Sequence, residues 1–382
     1  MKEQNNNVWK LIPIMLCFFV MGFVDLVGIA TNYVQADYKL SDTVANLFPS
    51  MVFFWFLVCS VPTGMLMNKI GRRKTVLISI VATIIALAIP LIHYSFVGML
   101  LSFSFLGIGN ALMQVSLNPL ISNIVNDKRL PSTLTLGQFV KAIASFIAPL
   151  LAGWLALHAG DWKLLYPIYM AVAIIACIAL WLTPIRESDA QGKTSSFADC
   201  FSLLGDKLIL LSFVGILCHV GIDVGINVTA PKLLIERLGI DLTAAGDATS
   251  VYFLFRTFGC LAGAFLLVKF APKRFFLFSV VLMLVGIAGL FFFHERNLLY
   301  LCIACVGLGN ANVFPIIFSQ AILHLPEKKN EVSGLMIMGL FGGAVFPLLM
   351  GIASDFAHTQ NGAIAIVCLG ICYLIFFSSR IK

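Results

Sequence analysis

The sequence predicts an all-α membrane protein whose twelve transmembrane helices form two related bundles of six, and three observations predict this class. Of 382 residues, 60% are hydrophobic and 11% are charged, whereas about a quarter of the residues in ordinary soluble domains are charged. Continuous apolar runs recur along the chain, and each is long enough to cross about 30 Å of hydrocarbon as a helix. Several short motifs also occur twice, 198 to 200 positions apart.

The twelve apolar runs are predicted to be the membrane-spanning helices, spans one to twelve. They are residues 11–34, 44–67, 75–93, 97–122, 133–157, 162–183, 208–235, 244–268, 274–293, 298–323, 331–356 and 361–379. A polar segment, residues 185–207, separates spans six and seven. It is predicted to be a cytoplasmic linker between an N-terminal bundle, residues 1–184, and a C-terminal bundle, residues 208–382.

The distribution of Lys and Arg predicts the orientation of the chain. With the N-terminus in the cytoplasm, 18 of these residues lie on the cytoplasmic side and 5 on the opposite side. The positive-inside rule therefore places both termini in the cytoplasm, in the cytoplasmic (inner) membrane. This asymmetry also accounts for the net charge of +7, so no nucleic-acid partner is expected. The first apolar run is too long for a cleavable signal peptide.

The two halves of the chain are related in sequence. "FLGIGNA" (105–111) in span four recurs as "CVGLGNA" (305–311) in span ten, and "FIAPLLAG" (146–153) recurs as "VFPLLMG" (345–351). "VDLVGIATNY" (24–33) is echoed by "IDVGINVTAP" (222–231), which aligns Asp25 with Asp223. A duplicated bundle with parallel halves is a repeat architecture of secondary transporters.

Four charged residues lie well inside spans: Asp25, Lys141, Asp223 and Arg256. Ionisable residues at membrane depth are costly and normally face a bundle interior or a wet cavity. An acid whose cationic partner moves away during a conformational change would bind and release protons in step with that change. Asp25 and Asp223 are therefore predicted to couple transport to protons. Static salt bridges, and snorkelling in the case of Lys141, are the alternatives.

Polar side chains near these charges recur on helix faces. They lie every four residues in span four (Asn110, Gln114, Asn118) and in span seven (His219, Asp223, Asn227), a spacing that places them on one side of a helix. The predicted substrate-binding residues are Asn32, Asn110, Gln114, Asn118, Gln138, Lys141, His219, Asn227, Arg256 and Asn310. The alternative is that the amides join helices to one another, and a proton relay through His219 also stays open.

The loop after span two carries a family resemblance. "GMLMNKIGRRK" (64–74) resembles the loop signature of the major facilitator superfamily, G-x-x-x-D-x-x-G-R-R-K, with Asn68 where the family has its aspartate. This resemblance implies a conformational latch formed by Gly64, Asn68, Gly71, Arg72 and Arg73. Because Asn68 replaces the acid, we expect one half of that latch to be weaker.

Within that superfamily, the chain resembles the fucose permease family of proton-coupled sugar symporters. The resemblance is carried by Asp25, by the Asn118–Pro119 pair and by an R-x-x-G motif at Arg256. It implies that Asp25 takes up and releases the coupling proton. The family's second acidic position, four residues before the Asn-Pro pair, is Gln114 here, which cannot titrate. Either coupling rests on Asp25 alone or Asp223 takes a share.

The predicted function is secondary active transport, most simply proton-coupled symport of a monosaccharide or small sugar derivative by alternating access. One alternative is a proton-coupled carrier of an organic anion held by Lys141 and Arg256, or of an amphipathic compound exported in exchange for protons. A sensor that binds without transporting is the third. The sequence has no metal-ligand spacing and no phosphate-binding loop, so neither an enzyme nor an ATP-driven pump is expected. We expect no cofactor or metal, and a monomer whose partners are the substrate, protons and the bilayer.

Overall fold

The computed structural model describes residues 8–40, 44, 47–185, 187, 196–240, 245 and 247–381. The described residues form helices and turns, with no strand among them. In the first half the helices are Leu11–Met21 and Leu26–Tyr38 (span one), Leu47–Ile70, Arg72–Ile92, Phe96–Ile121, Leu130–His158 and Leu165–Leu182 (spans two to six). In the second half they are Lys207–Leu238, Asp247–Lys269 and Pro272–Phe292 (spans seven to nine), Arg296–Asn310 and Val313–His324 (span ten), Lys329–Met338 and Gly342–Ala357 (span eleven), and Asn361–Ser378 (span twelve).

Within the described part of the chain, eleven spans are long and apolar enough to cross a membrane, and span one contributes a shorter apolar stretch, Leu11–Asp25. The predicted twelve-helix class is therefore confirmed. Among the described residues, three spans have an irregular backbone near the middle. The irregular segments are the 3-10 turn Gly22–Asp25 in span one, residues 311–312 in span ten and the 3-10 turn Gly339–Phe341 in span eleven.

Helix ends follow local sequence signals. Ser95 accepts a hydrogen bond from the Gly98 N–H at 3.0 Å and so caps span four. Asp206 caps span seven by accepting from two N–H groups of the first turn. Gly239 ends the same helix in the left-handed conformation, at φ 62°. These are the residue types that satisfy the unpaired backbone groups of helix termini.

The sequence repeat is visible in the packing of equivalent glycines. A Cβ on Gly107 would lie 2.9 Å from the Cα of Val52, and one on Gly307 would lie 2.5 Å from the Tyr252 carbonyl oxygen, 200 positions further along. Small residues let helices in a membrane approach this closely. These contacts align Val52 of span two with Tyr252 of span eight, so positions in the two spans correspond at an offset of 200.

By contacts, the chain divides into two compact units. Unit 1 comprises Met1–Leu130, Gly137–Phe201 and Glu327–Met338, and unit 2 comprises Pro131–Leu136, Ser202–Pro326 and Gly339–Lys382. Each unit therefore takes most of one sequence half together with one short segment of the other. The predicted domain boundaries at residues 184 and 208 stay a prediction.

Gly342 is packed too closely for any larger residue. A Cβ there would lie 2.2 Å from the Leu217 carbonyl oxygen. That oxygen belongs to the main chain of a helix, so it cannot move away as a flexible side chain could. We expect Gly342→Ala to lower the free energy of unfolding by about 1–3 kcal/mol, the usual cost of overpacking. Thermal unfolding in detergent measures it. The control is Gly351→Ala on the same helix, where no atom lies within 4 Å; equal losses in both variants would contradict the packing argument.

Candidate charge-bearing transport site

In unit 1, Asp25 lies where span one changes conformation. The helix Leu11–Met21 ends, the 3-10 turn Gly22–Asp25 follows, and the helix resumes at Leu26. Asp25 is exposed although Val24 and Leu26 on either side are buried. Its carboxylate accepts a hydrogen bond from the Ser145 hydroxyl of span five. Among the described residues, no Lys or Arg forms an ion pair with it.

The polar stripe of span four is buried and bonded within unit 1. Asn110, Gln114 and Asn118 are 3%, 4% and 0% exposed. The Asn110 amide donates to the Met21 carbonyl oxygen at 2.6 Å, Gln114 Nε2 donates to Asn110 Oδ1 at 2.7 Å, and Asn118 Nδ2 donates to the Gln114 carbonyl oxygen at 2.8 Å. The stripe thus joins span four to the turn that precedes Asp25, and its predicted role in substrate binding stays a prediction.

Two predicted residues of span five lie in the same unit. Gln138 is half-buried, and its Nε2 has no hydrogen-bond partner among the described residues. Lys141 is also half-buried and forms no ion pair with any described carboxylate. Asn32 belongs to the helix Leu26–Tyr38, but its side chain lies outside the described part of the structure.

In unit 2, Asp223 is surrounded by partners. Arg256 Nη1 lies 3.0 Å from Asp223 Oδ2, with the two side chains 28% and 14% exposed. The Tyr252 hydroxyl donates to Asp223 Oδ1 at 2.6 Å. Spans seven and eight are therefore joined by a largely buried ion pair whose carboxylate also accepts a neutral hydrogen bond.

Asn310 of span ten links the other predicted residues of unit 2 to this pair. Its Nδ2 lies 2.9 Å from the Tyr252 hydroxyl and 3.4 Å from Asp223 Oδ1. Its Oδ1 lies 2.8 Å from Nδ1 of His219, a ring that is 3% exposed. Asn227 donates to the Asp223 carbonyl oxygen, while its own Oδ1 has no partner among the described residues. The structure thus brings four predicted residues together around Asp223.

The two acids differ in their charge environment. The glycine packing pairs span two with span eight at an offset of 200, so the position equivalent to Arg256 is Phe56, which is 2% exposed. Span eight therefore supplies a cation to Asp223, and span two supplies only an apolar ring at the equivalent place. In this structure Arg256 compensates the charge of Asp223 within its unit, whereas the Asp25 carboxylate accepts a hydrogen bond from the neutral Ser145 hydroxyl.

The predicted latch residues also lie within unit 1, where the segment Glu327–Met338 packs on them. Asn68 Nδ2 donates to Glu331 Oε1 at 2.5 Å, and Asn330 Nδ2 donates to Asn68 Oδ1 at 2.6 Å. Arg72 Nε donates to Asn330 Oδ1 at 2.7 Å. A Cβ on Gly64 would lie 2.7 Å from the Asn330 carbonyl oxygen, so glycine permits the close approach.

Glu187, which follows span six, binds the main chain of two predicted latch residues, Arg72 and Arg73. Its carboxylate accepts from the main-chain N–H of Arg72 at 2.6 Å and of Arg73 at 2.8 Å, which are the first N–H groups of span three. A carboxylate at a helix N-terminus is stabilised by the unpaired N–H groups and the helix dipole. Gly71, at φ 88°, makes the left-handed turn that directs these groups toward Glu187.

The position of Glu331 leads to a prediction for Asn68. Asn68→Asp restores the family aspartate but sets two carboxylates against each other, with their polar atoms 2.5 Å apart at this contact. We expect the single variant to lower the free energy of unfolding by about 1–3 kcal/mol, since it turns a hydrogen bond into a like-charge contact. Chemical unfolding in detergent measures the loss.

The matched control is the exchanged pair Asn68→Asp with Glu331→Gln, which restores one acid and one amide. We expect it to recover most of the lost stability. A single variant as stable as the unchanged protein would show that Asn68 and Glu331 do not interact.

Sequence reasoning missed Ser145, Glu331 and Glu187. Ser145 carries no pattern that distinguishes it from other serines in spans. Glu331 and Glu187 are each acids at a predicted helix boundary, an ordinary place for a solvated charge. Among the described residues, no three His, Cys, Asp or Glu side chains form a group that could hold a metal ion.

Comparisons with known proteins concern the sequence and the fold of the whole chain. A family model described as Major Facilitator Superfamily matches residues 14–347. The glucose/galactose transporter of Brucella abortus biovar 1 (strain 9-941) is 22% identical over 377 residues, covering 92% of this chain and 89% of that protein. The nitrite extrusion protein of Bacillus subtilis (strain 168) is 23% identical over 363 residues, covering 92% and 88%.

Among solved structures, a variant of the E. coli fucose:proton symporter matches with a TM-score of 0.83 and 17% sequence identity. The match covers 98% of this chain and 98% of that one. At this level of identity the likeness shows a shared fold. It extends over nearly the whole length of both chains, so both sequence halves take part in it.

Proposed function

Because the chain belongs to the major facilitator superfamily, and is therefore an integral membrane transporter and not an enzyme, we propose that it carries a monosaccharide or small sugar derivative together with a proton. Transport proceeds by alternating access, with Asp25 taking up and releasing the coupling proton. The observation that carries this proposal is the charge environment of Asp25. An exposed carboxylate inside a span meets a hydroxyl and no cation among the described residues.

A charge in a membrane span needs compensation. Asp223 has it from Arg256 at 3.0 Å, whereas the equivalent position in unit 1 is Phe56. A proton is the simplest compensation for Asp25, and binding one leaves the carboxyl neutral. This difference supports assigning proton coupling first to Asp25, with Asp223 as the charged partner of a structural pair.

Two features support a polyhydroxylated, neutral substrate. Gln138 Nε2 in unit 1 and Asn227 Oδ1 in unit 2 are polar atoms of half-buried side chains without partners among the described residues. Such atoms are costly to leave unpaired, and a sugar hydroxyl can both donate and accept. The relative named as a glucose/galactose transporter and the solved fucose:proton symporter also support a sugar.

The same proposal includes the setting of the protein. The excess of Lys and Arg in alternate loops supports a cytoplasmic (inner) membrane location with both termini in the cytoplasm. The protein acts as a monomer, since the two sequence halves already provide the paired bundles that this fold uses.

A second candidate is a carrier of a small anion, because one relative is named a nitrite extrusion protein. Arg256 would be the natural anion ligand. It is already paired with Asp223, however, so the pair as a whole is neutral. This neutrality argues against an anion at Arg256, so an anion carrier would rely on Lys141, which forms no ion pair with a described carboxylate.

The first experiment measures the melting temperature of the purified protein in detergent at pH 5.5 and pH 7.5. The panel is D-glucose, D-galactose, L-fucose, nitrate, nitrite and cis,cis-muconate. Ligands that bind only the folded state raise the melting temperature by mass action. Stabilisation by a neutral sugar, followed by its uptake into proteoliposomes under an inward proton gradient, supports the proposal. Stabilisation by anions alone replaces it with the second candidate.

A further inference from the structure

One contact between a side chain and the main chain is repeated in the two units. In unit 1, Asn110 Nδ2 lies 2.6 Å from the Met21 carbonyl oxygen. In unit 2, Asn310 Nδ2 lies 3.5 Å from the His219 carbonyl oxygen. Met21 is four residues before Asp25, and His219 is four residues before Asp223. Each asparagine therefore contacts the carbonyl that would accept the acid's own N–H in a continuous α-helix.

The two amides are oriented by different neighbours. Gln114 Nε2 donates to Asn110 Oδ1, whereas Asn310 Oδ1 lies 2.8 Å from the His219 ring. The residue 200 positions after Gln114 is Phe314, which cannot donate to Asn310 Oδ1. The group beside the amide oxygen therefore belongs to span four in unit 1 and to span seven in unit 2. The contact with the carbonyl is a short hydrogen bond in unit 1, whereas in unit 2 it is a long contact and the same Nδ2 lies closer to the Tyr252 hydroxyl.

In unit 1 the contact coincides with the tightened backbone before Asp25. A 3-10 turn occupies Gly22–Asp25, and such turns inside long helices often mark functional hinges. Gly22 lets this turn lie against span five, since a Cβ there would be 2.5 Å from the Lys141 carbonyl oxygen. The turn directs Asp25 to Ser145, one helical turn beyond Lys141.

In unit 2 the irregular backbone lies on the other helix. Span seven is continuous from Lys207 to Leu238, whereas span ten is interrupted directly after Asn310. Asn310 then reaches Asp223 itself, at 3.4 Å, as well as the Tyr252 hydroxyl. The same residue type at equivalent positions thus acts on one acid through the backbone and on the other directly.

We propose that Asn110 is a positioning residue, which holds the main chain before Asp25 and so fixes the direction and surroundings of that carboxylate. Asn310, its equivalent in unit 2, contacts the Asp223 carboxylate directly. Asn110 is 3% exposed, and its amide atoms are bonded to the Met21 carbonyl oxygen and to Gln114 Nε2. Gln114 supports this role by orienting Asn110, since its Nε2 donates to Asn110 Oδ1. The inference rests on the proposed function, in which Asp25 carries the proton.

The test compares Asn110→Leu with Asn118→Leu in the full-length protein in detergent. Both residues are buried amides of span four, but Asn118 bonds to the main chain of its own helix. Two readouts are taken, neither of which needs a substrate. Hydrogen–deuterium exchange of the amides of residues 22–26 reports the contact with Met21. Labelling of Asp25 by dicyclohexylcarbodiimide between pH 5 and pH 9, quantified by mass spectrometry, reports the protonated carboxyl. Both variants keep Lys141 and Tyr169, the ionisable residues of spans five and six near Asp25.

We expect Asn110→Leu to speed exchange over residues 22–26 and to change the amount of Asp25 labelled at a fixed pH severalfold. Asn118→Leu should change neither. Unchanged exchange in Asn110→Leu overturns the proposal, as does faster exchange with unchanged labelling. Equal changes in both variants also overturn it, since they would reflect general loosening of span four. Failure of proton-driven transport in the unchanged protein would instead count against the proposed function alone.

Discussion

Accumulation driven by a proton gradient disappears in Asp25→Asn, while exchange of labelled for unlabelled substrate across the membrane continues. Exchange needs only the loaded carrier to change conformation, whereas accumulation needs a group that binds and releases a proton. Asn keeps the shape of the side chain and a partner for Ser145 but cannot titrate. With one proton per substrate, a gradient of one pH unit supports about tenfold accumulation. We expect that ratio to fall to about one in Asp25→Asn, measured in proteoliposomes with the sugar identified by the melting-temperature panel.

The control variant is Ser145→Ala, which removes the hydrogen bond and keeps the carboxylate. It should retain accumulation, with a changed pH profile. Tenfold accumulation in Asp25→Asn would show that another group carries the proton. Asp223 would then be the next acid to test.

The second large effect concerns the ion pair of unit 2. Arg256→Gln leaves the Asp223 carboxylate, which is 14% exposed, without its cation. Removing one partner of a buried pair typically costs about 3–5 kcal/mol because the other charge stays desolvated. We expect the free energy of unfolding to fall by about 3 kcal/mol, measured by chemical unfolding in detergent. The protein should also lose most of its transport.

Two further variants separate the pair from its members. The double variant Asp223→Asn with Arg256→Gln has no uncompensated charge, so it should regain most of the stability lost in the single variant. Arg296→Gln, at an exposed arginine that begins span ten, is the matched control and should be near neutral. If the losses of the two single variants simply add in the double variant, Asp223 and Arg256 are not coupled. Proton-driven accumulation by the folded double variant would leave Asp25 as the coupling acid.

The fold was largely predictable because a membrane-spanning helix can be recognised from the composition of its own segment. A run of about 20 apolar residues can satisfy its backbone only as a helix in lipid, whatever surrounds it. The repeat was also readable, since Asp25 and Asp223 stand in similar decapeptides. The local sequence pattern did not predict the break in the α-helix of span one. The 3-10 turn at Gly22–Asp25 has no proline.

The latch shows the limit of a motif. Asn68 alone indicated a lost acid, but Glu331, 263 positions away, places a carboxylate against it. Whether a distant acid contacts a residue of the motif depends on how the helices pack. The local sequence around the motif does not show that packing.

The sequence by itself determined twelve spans, a duplicated arrangement and four charges at membrane depth, because composition and spacing are properties of single segments. Only the tertiary structure decided which charges are paired. Arg256 is 33 positions from Asp223, yet their atoms lie 3.0 Å apart, while Phe56 stands at the equivalent place in the other half. The attraction between two opposite charges varies as 1/r and is strong at about 3 Å in a medium of low dielectric constant. The difference between a paired and an unpaired acid is therefore set by contacts of a few ångströms, which only the packing of the helices fixes.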